Sequence, residues 1–167
     1  MKHAILIRGN SGSGKSTVAR LLQQKFGRGT LLIPQDVIRR ELLRVNDRPG
    51  NPAVALMCEI ARWGAKNGGI VIVEGILDAA IYAPLFCTLM SEFDAVHAYY
   101  YDISFAETLR RHATKPNRNE FGEADMRRWW KEKDFIGFLP ETVLTAEMSA
   151  EEASEMIFAE VNRDPIQ

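Results

Sequence analysis

Gly9-Asn10-Ser11-Gly12-Ser13-Gly14-Lys15-Ser16 satisfies the pattern G-x-x-x-x-G-K-[ST], and it stands between an apolar run, His3 to Ile7, and a segment with helical spacing, Ser16 to Phe26. A buried strand that feeds a helix through a glycine-rich turn aims successive backbone N–H groups inward. The positive end of the helix adds to the same field, so the loop is a cradle for phosphate oxygens. Lys15 is expected to reach the β and γ phosphates of a nucleoside triphosphate, and Ser16 to offer its hydroxyl to a magnesium ion bridging them. The expected nucleotide-contact set is Gly9, Asn10, Ser11, Gly12, Ser13, Gly14, Lys15, Ser16 and Thr17, with Thr17 belonging to the helix rather than to the metal.

The rest of the chain alternates strands and helices. Thr30 to Pro34, Ile70 to Val73, Ala95 to Tyr101 and Thr142 to Thr145 read as further strands. Helices are expected from Asp36 to about Val45, over Ala53 to Ala65, over Ala79 to Met90 with a kink at Pro84, and over Ala124 to Lys133. Ser104 with Glu107, and Ser149 with Glu152, have capping-box spacing ahead of helices reaching about His112 and Val161. This order predicts an α/β fold: an open, mostly parallel five-stranded sheet with helices on both faces and ligands at the carboxyl ends of the strands. A length of 167 residues suits one domain over 1–167.

Two acids fall at strand ends. Asp36 follows Leu31 to Gln35 and is expected over the carboxyl edge of the sheet near the phosphate loop; its alternative use is a helix N-cap. Arg39, three positions on, shares its helix face and can steer it. A carboxylate here repels an incoming phosphate but can take a proton from an alcohol, which favours a hydroxyl acceptor; the alternative is a phosphate on the substrate clamped by Arg39, Arg40, Arg44 and Arg48, which otherwise read as solvated. Glu74 closes Ile70 to Val73 in the usual setting of a magnesium-associated acid, the alternative being a bond to neighbouring backbone, and Gly75 is expected to leave room for substrate or the phosphate loop. Asp78 and Tyr82 are candidate acceptor contacts.

Between Arg110 and Lys133 stand eight Lys/Arg against four Asp/Glu, although the whole chain has a net charge of −1. Such a segment can fold over a triphosphate, neutralise developing charge and exclude water. The near-neutral total offers no general attraction to nucleic acid or anionic membrane. No apolar run of about eighteen residues suggests a membrane span, and Cys58 and Cys87 suggest neither zinc nor disulfides, so a cytoplasmic protein is expected. Trp129 and Trp130 point in different directions on a helix, and one is expected to pack against the core, the alternative being to stack on a base. His3, His97 and His112 share no spacing and are assigned no chemistry.

The loop, the Asp36-Val37-Ile38-Arg39 pattern and the basic segment together resemble the P-loop kinases of the group containing polynucleotide kinase, chloramphenicol phosphotransferase, gluconate kinase and zeta toxins, also called uridine kinase-like. The resemblance covers most of the chain. It implies a P-loop NTPase fold with an acceptor-binding insertion at about 39–67 and a small basic lid at about 110–133. It also implies ATP and Mg2+ as cofactors, Lys15, Asp36, Arg39 and Arg111 as catalytic residues, and Ser16 and Glu74 at the metal. Arg111 and Lys115 match the lid's basic positions, Lys115 standing where the pattern has arginine, with Arg110 and Arg118 as alternates. The expected activity is transfer of the γ-phosphoryl group of ATP to a hydroxyl of a small molecule such as a nucleoside, sugar or antibiotic. A polynucleotide 5′-hydroxyl kinase and a non-catalytic ATP-gated binding module are the alternatives; the absence of N-K-x-D disfavours a guanine switch.

Overall fold

The computed structural model describes residues 1–116 and 118–163; Asn117, in the polar loop of the expected lid, and residues 164–167 lie outside them. Strands β1 (His3–Gly9), β2 (Leu31–Pro34), β3 (Ile70–Gly75), β4 (Ala95–Tyr101) and β5 (Thr142–Leu144) form a sheet in the order β2-β3-β1-β4-β5. Every pairing is parallel, which sharpens the expected mostly parallel sheet. β1 lies at its centre and pairs Ile7 with both Glu74 and Tyr99.

Burial on both sides explains why β1 reads as an unbroken apolar run rather than an alternating one. Ala4 and Leu6 face one core with Val71 and Val73, covered by α2 (Pro52–Asn67) and α3 (Ala83–Glu92). Ile5 and Ile7 face the other with Ile72 and Tyr99, covered by α1 (Lys15–Phe26) and α6 (Ala150–Arg163). The remaining helices, α4 (Phe105–Ala113) and α5 (Glu123–Trp129), lie beyond β4 in the chain and carry the basic segment.

Several expected elements change at their ends, each for a local reason. Pro84 sits in the first turn of α3, where its missing N–H costs nothing, so it opens the helix rather than kinking one that began at Ala79. Asn51 caps α2 through a bond from the Ala53 N–H, 3.0 Å. Ser149 and Glu152 exchange both bonds of a capping box, whereas Ser104 only accepts from the Glu107 N–H, because the Glu107 carboxylate is taken by Arg110 and Arg111. The helix expected from Asp36 to Val45 is a short π-helical turn, Val37–Leu42, stopped where Arg44 takes φ of 55°. Its wide winding is seen in the bond from the Leu43 N–H to the Ile38 carbonyl, 3.0 Å. Cys58 and Cys87 are both free, and no helix among the described residues is long and apolar enough to cross a membrane.

Candidate active site

The loop after β1 is shaped by glycines at positive φ, where any side chain would be strained. Gly12 has φ of 83°, and a Cβ there would stand 2.6 Å from the Thr108 carbonyl oxygen, so the loop lies directly against α4. Gly14, at φ of 101°, leads into α1, and the Arg111 guanidinium crosses beside it to donate to the Ser13 carbonyl, 2.6 Å. The same guanidinium donates to Glu107 at 2.7 Å and to the Ala146 carbonyl at 3.1 Å, which fixes its plane over the loop.

Lys15 is buried, with its ammonium donating to the Asn10 carbonyl at 2.9 Å. Burial pushes it down to about 8, and the nearby Glu74 carboxylate opposes that shift. Glu74 is buried at the end of β3, and burial raises its carboxyl above the ordinary range despite Lys15 and Ser16. The Ser16 hydroxyl donates to both Glu74 oxygens, 3.1 Å each, so the strand-end acid meets the loop rather than backbone. One hydroxyl and one carboxylate suit magnesium, which takes few protein oxygens and fills its shell with phosphate and water.

Lys115 approaches from the other side. It lines a cleft of about 340 Å³ with Gly14, Ser16, Thr17 and Arg20. Burial lowers its ammonium pKa, with Glu74 and Asp36 opposing. Arg110 differs: its side chain is 69% exposed and paired with Glu107, so the structure brings Arg111 and Lys115 to the loop and leaves Arg110 outside.

Asp36 is not a helix cap. Its backbone is already helical at φ −64° and ψ −37°, its side chain makes no cap bond, and the carboxylate is 63% exposed beside Arg39 (3.4 Å) and Arg40 (3.5 Å). Arg39 also donates to the Val45 carbonyl at 3.2 Å, holding the end of the π-helical turn. Next to this pair opens a cavity of about 670 Å³ between the π-helical turn, the segment after β3 and the segment around α5. Arg39, Arg40, Asn46 and Asp47 supply the wall from the expected acceptor insertion; α2, in the same span, gives its apolar face to the core instead.

Other expected contacts are redistributed. Tyr82 is buried, and its hydroxyl donates to Asp47 at 2.8 Å, so it does not reach the cavity; Asp78 does. The space at Gly75 serves neither substrate nor the phosphate loop: Gln35 fills it, a Cβ at Gly75 falling 2.4 Å from the Gln35 Oε1. Neither tryptophan enters the core. Trp129 packs on Phe121 and under Arg40, and Trp130 sets its edge on Phe105. The Asn10 side chain turns from the phosphate cradle to exchange two bonds with the Lys131 backbone, 2.7 and 2.9 Å. His3 and His97, distant in sequence, stack across β1 and β4 with ring centres 5.4 Å apart.

Sequence reasoning missed Arg8, which stands just after the apolar run His3 to Ile7. Arg8 is fully buried and ion-paired with Asp134 (3.0 Å) and Glu141 (2.7 Å), and it donates twice to the Leu77 carbonyl. The signal was available: an arginine between Ile7 and a loop that must stay close to the sheet has no route to solvent.

Residues 1–67 match the family model described as Zeta toxin, a span that takes in the phosphate loop, Asp36 and Arg39. No curated protein sequence matches the chain. Among solved structures, a gluconokinase from Sinorhizobium meliloti 1021 is 18% identical with a TM-score of 0.68, covering 96% of this chain and 92% of its own. The tunicamycin resistance protein of Deinococcus radiodurans is 19% identical with a TM-score of 0.66, covering 96% of each chain. Shikimate kinase from Acinetobacter baumannii, solved with shikimate, is 18% identical with a TM-score of 0.62, covering 100% of this chain and 96% of its own. Identities this low speak to architecture, and on that ground the chain has the P-loop kinase fold, with an amino-terminal part similar to the zeta toxins.

Proposed function

We propose that the protein is an ATP-dependent kinase that transfers the γ-phosphoryl group to a hydroxyl of a small molecule. The observation that carries this reading is the juxtaposition of two sites: the Lys15, Ser16 and Glu74 cluster on the phosphate loop, and the exposed Asp36 carboxylate beside a cavity of about 670 Å³. A cavity of that size suits a drug-sized molecule. Residues 110–133 act as the lid and 39–51 as the acceptor-side wall of the single domain.

In the proposed reaction the acceptor oxygen attacks the γ-phosphorus, the bond from that phosphorus to the β–γ bridging oxygen breaks, ADP leaves, and the acceptor proton passes to Asp36. Arg39 holds the Asp36 carboxylate in place. Lys15 and Arg111 balance negative charge on the transferred group, with Lys115 contributing from the lid side. Magnesium, held through Ser16 and Glu74, would neutralise the phosphate oxygens. Radiolabelled ATP incubated with panels of nucleosides, sugars, aromatic alcohols and 5′-hydroxyl oligonucleotides tests the assignment. Label is expected on a small molecule; preference for the oligonucleotide would reverse the order of the two kinase readings, and ATP binding without transfer to any acceptor would leave the binding-module alternative.

A second expected result concerns protons. The folded value of Lys15, about 8, lies below the ordinary lysine value of 10.5, so its burial costs stability below about pH 8, and the cost is relieved as pH rises toward 10.5. A triphosphate beside the ammonium favours its charged form, so binding ATP at that pH draws up to roughly half a proton onto Lys15. Calorimetric titrations in buffers of different ionisation enthalpy should give net proton uptake in the parent and a smaller uptake in Lys15→Met. Equal uptake in both proteins would remove Lys15 from the phosphates.

A further inference from the structure

The cavity beside Asp36 is lined by four cationic and four carboxylate side chains, whereas the cleft at the phosphate loop has Arg20 and Lys115 and no lining acid. That contrast separates what the two sites can hold. Each cation of the larger cavity already has an anionic partner. Arg39 and Arg40 both meet Asp36, Arg128 meets Asp125 at 2.7 Å, and Lys131 pairs with Asp78. An anionic ligand could draw one of these cations away. The abandoned carboxylate would then remain beside that ligand and repel it, so the exchange gains little.

Three of the four carboxylates are committed in turn. Asp125 accepts from Arg128 and the Gly122 N–H. Asp78 accepts from the Ala80 and Ile81 N–H groups at 2.9 and 3.0 Å, and Asp47 accepts from Tyr82 and Gln35. With four cations set against four carboxylates, the polar lining has no net charge to offer. The lid-side wall is different in kind: Trp129, at 61° to Phe121 and with Arg40 over part of its ring, and Trp130 beside it line the cavity with aromatic surface, and Ile76 and Ile81 stand among the other lining residues. Aromatic walls take planar or apolar ligand faces, and polar groups around them orient hydroxyls.

We infer that this cavity takes an uncharged, hydroxylated molecule with one planar or apolar face, of the size of a nucleoside or an aryl glycoside, and discriminates against phosphorylated or carboxylated counterparts. On the kinase reading, from which its role as acceptor follows, this excludes nucleoside monophosphates and sugar acids as preferred acceptors.

The three tryptophans make the test direct. Trp63 is 60% exposed on α2, away from the cavity lining, so Trp63→Phe leaves Trp129 and Trp130 as the only indole reporters. This variant is titrated with two matched pairs, uridine against uridine 5′-monophosphate and phenyl β-glucoside against phenyl β-glucuronide, with the fluorescence change giving Kd. The neutral member is expected to bind at least ~10-fold more tightly in each pair. Equal or tighter binding of the charged members overturns the inference, and so does a lack of response to all four. Radiolabelled transfer is measured on the same compounds. Binding of the neutral members without transfer upholds the ligand class and sinks the kinase reading, so the two failures are distinguishable.

Discussion

Asp36→Asn should lower phosphoryl transfer by ~10²–10⁴-fold while leaving the affinity for magnesium-complexed ATP intact or slightly increased. The asymmetry follows from where the carboxylate stands. It touches Arg39 and Arg40, and it is near enough to Lys15 to raise that ammonium's pKa, yet it makes no bond to the backbone of its own turn. Replacing it removes a negative charge from the neighbourhood of a triphosphate, which assists ATP binding, and removes the group assigned to the acceptor proton, which does not. An N-cap would behave otherwise, losing ~0.5–2 kcal/mol of stability on truncation. Thermal unfolding of Asp36→Ala should therefore lie close to the parent. Transfer kinetics and ATP calorimetry on the same preparations check the claim, and a variant that transfers at the parental rate would remove Asp36 from the chemistry. Arg39→Lys separates the supporting role: it keeps charge but loses the fork that holds both Asp36 and the Val45 carbonyl, so kcat should fall more than KM rises.

Local rules carried the fold far. The buried character of β1 and β3 follows from apolar runs of strand length, and the phosphate loop follows from its glycines, because both are settled within a few residues of chain. What stayed hidden depends on partners far along the sequence. Glu74 finds the Ser16 hydroxyl 58 positions away, and whether a strand-end acid turns to the loop or to backbone is set by the β1–β3 register. Gln35 occupies the space at Gly75, a fit that residue types alone do not reveal. Adjacent indoles on one short helix point in different directions, which predicts one of them in the core. Instead, the aromatic and cationic neighbours around Phe105, Phe121 and Arg40 give both of them surface packing. Tyr82 shows the same limit: spacing placed it on an edge with Asp78, while its hydroxyl answers Asp47 from the loop before α2.

Arg8→Met should be the most destabilising single change at the site, by ~3–5 kcal/mol, because it strands two carboxylates that no other cation serves in the same way. Arg8 is fully buried; Glu141 is 1% exposed at its side chain and Asp134 20%. Its Nε and Nη2 donate to the Leu77 carbonyl at 3.0 and 2.8 Å, and Leu77 itself is held at φ of 48°, so one guanidinium fixes the end of β1, the turn after β3 and the segment leading to β5. Tyr100 and Phe86 cover the group at 5.5 and 5.3 Å. For a chain of this length each kcal/mol corresponds to ~2–4 °C in Tm, so the expected drop is ~6–20 °C. Desolvation of the unpaired acids is the proposed cause, and it can be separated from loss of packing. Adding Glu141→Gln and Asp134→Asn to Arg8→Met should recover part of the lost stability, since neutral amides cost less to bury than stranded carboxylates. A triple variant no more stable than Arg8→Met would assign the loss to packing, and an Arg8→Met protein within ~1 kcal/mol of the parent would refute the role given to the ion cluster. The Leu77 turn lies between Glu74 and the Asp78 wall of the cavity, so loosening it moves both sides of the site together. Surviving Arg8→Met protein should accordingly show weaker ATP use and weaker acceptor binding in the same assay, whereas Asp36→Asn lowers transfer without weakening ATP binding.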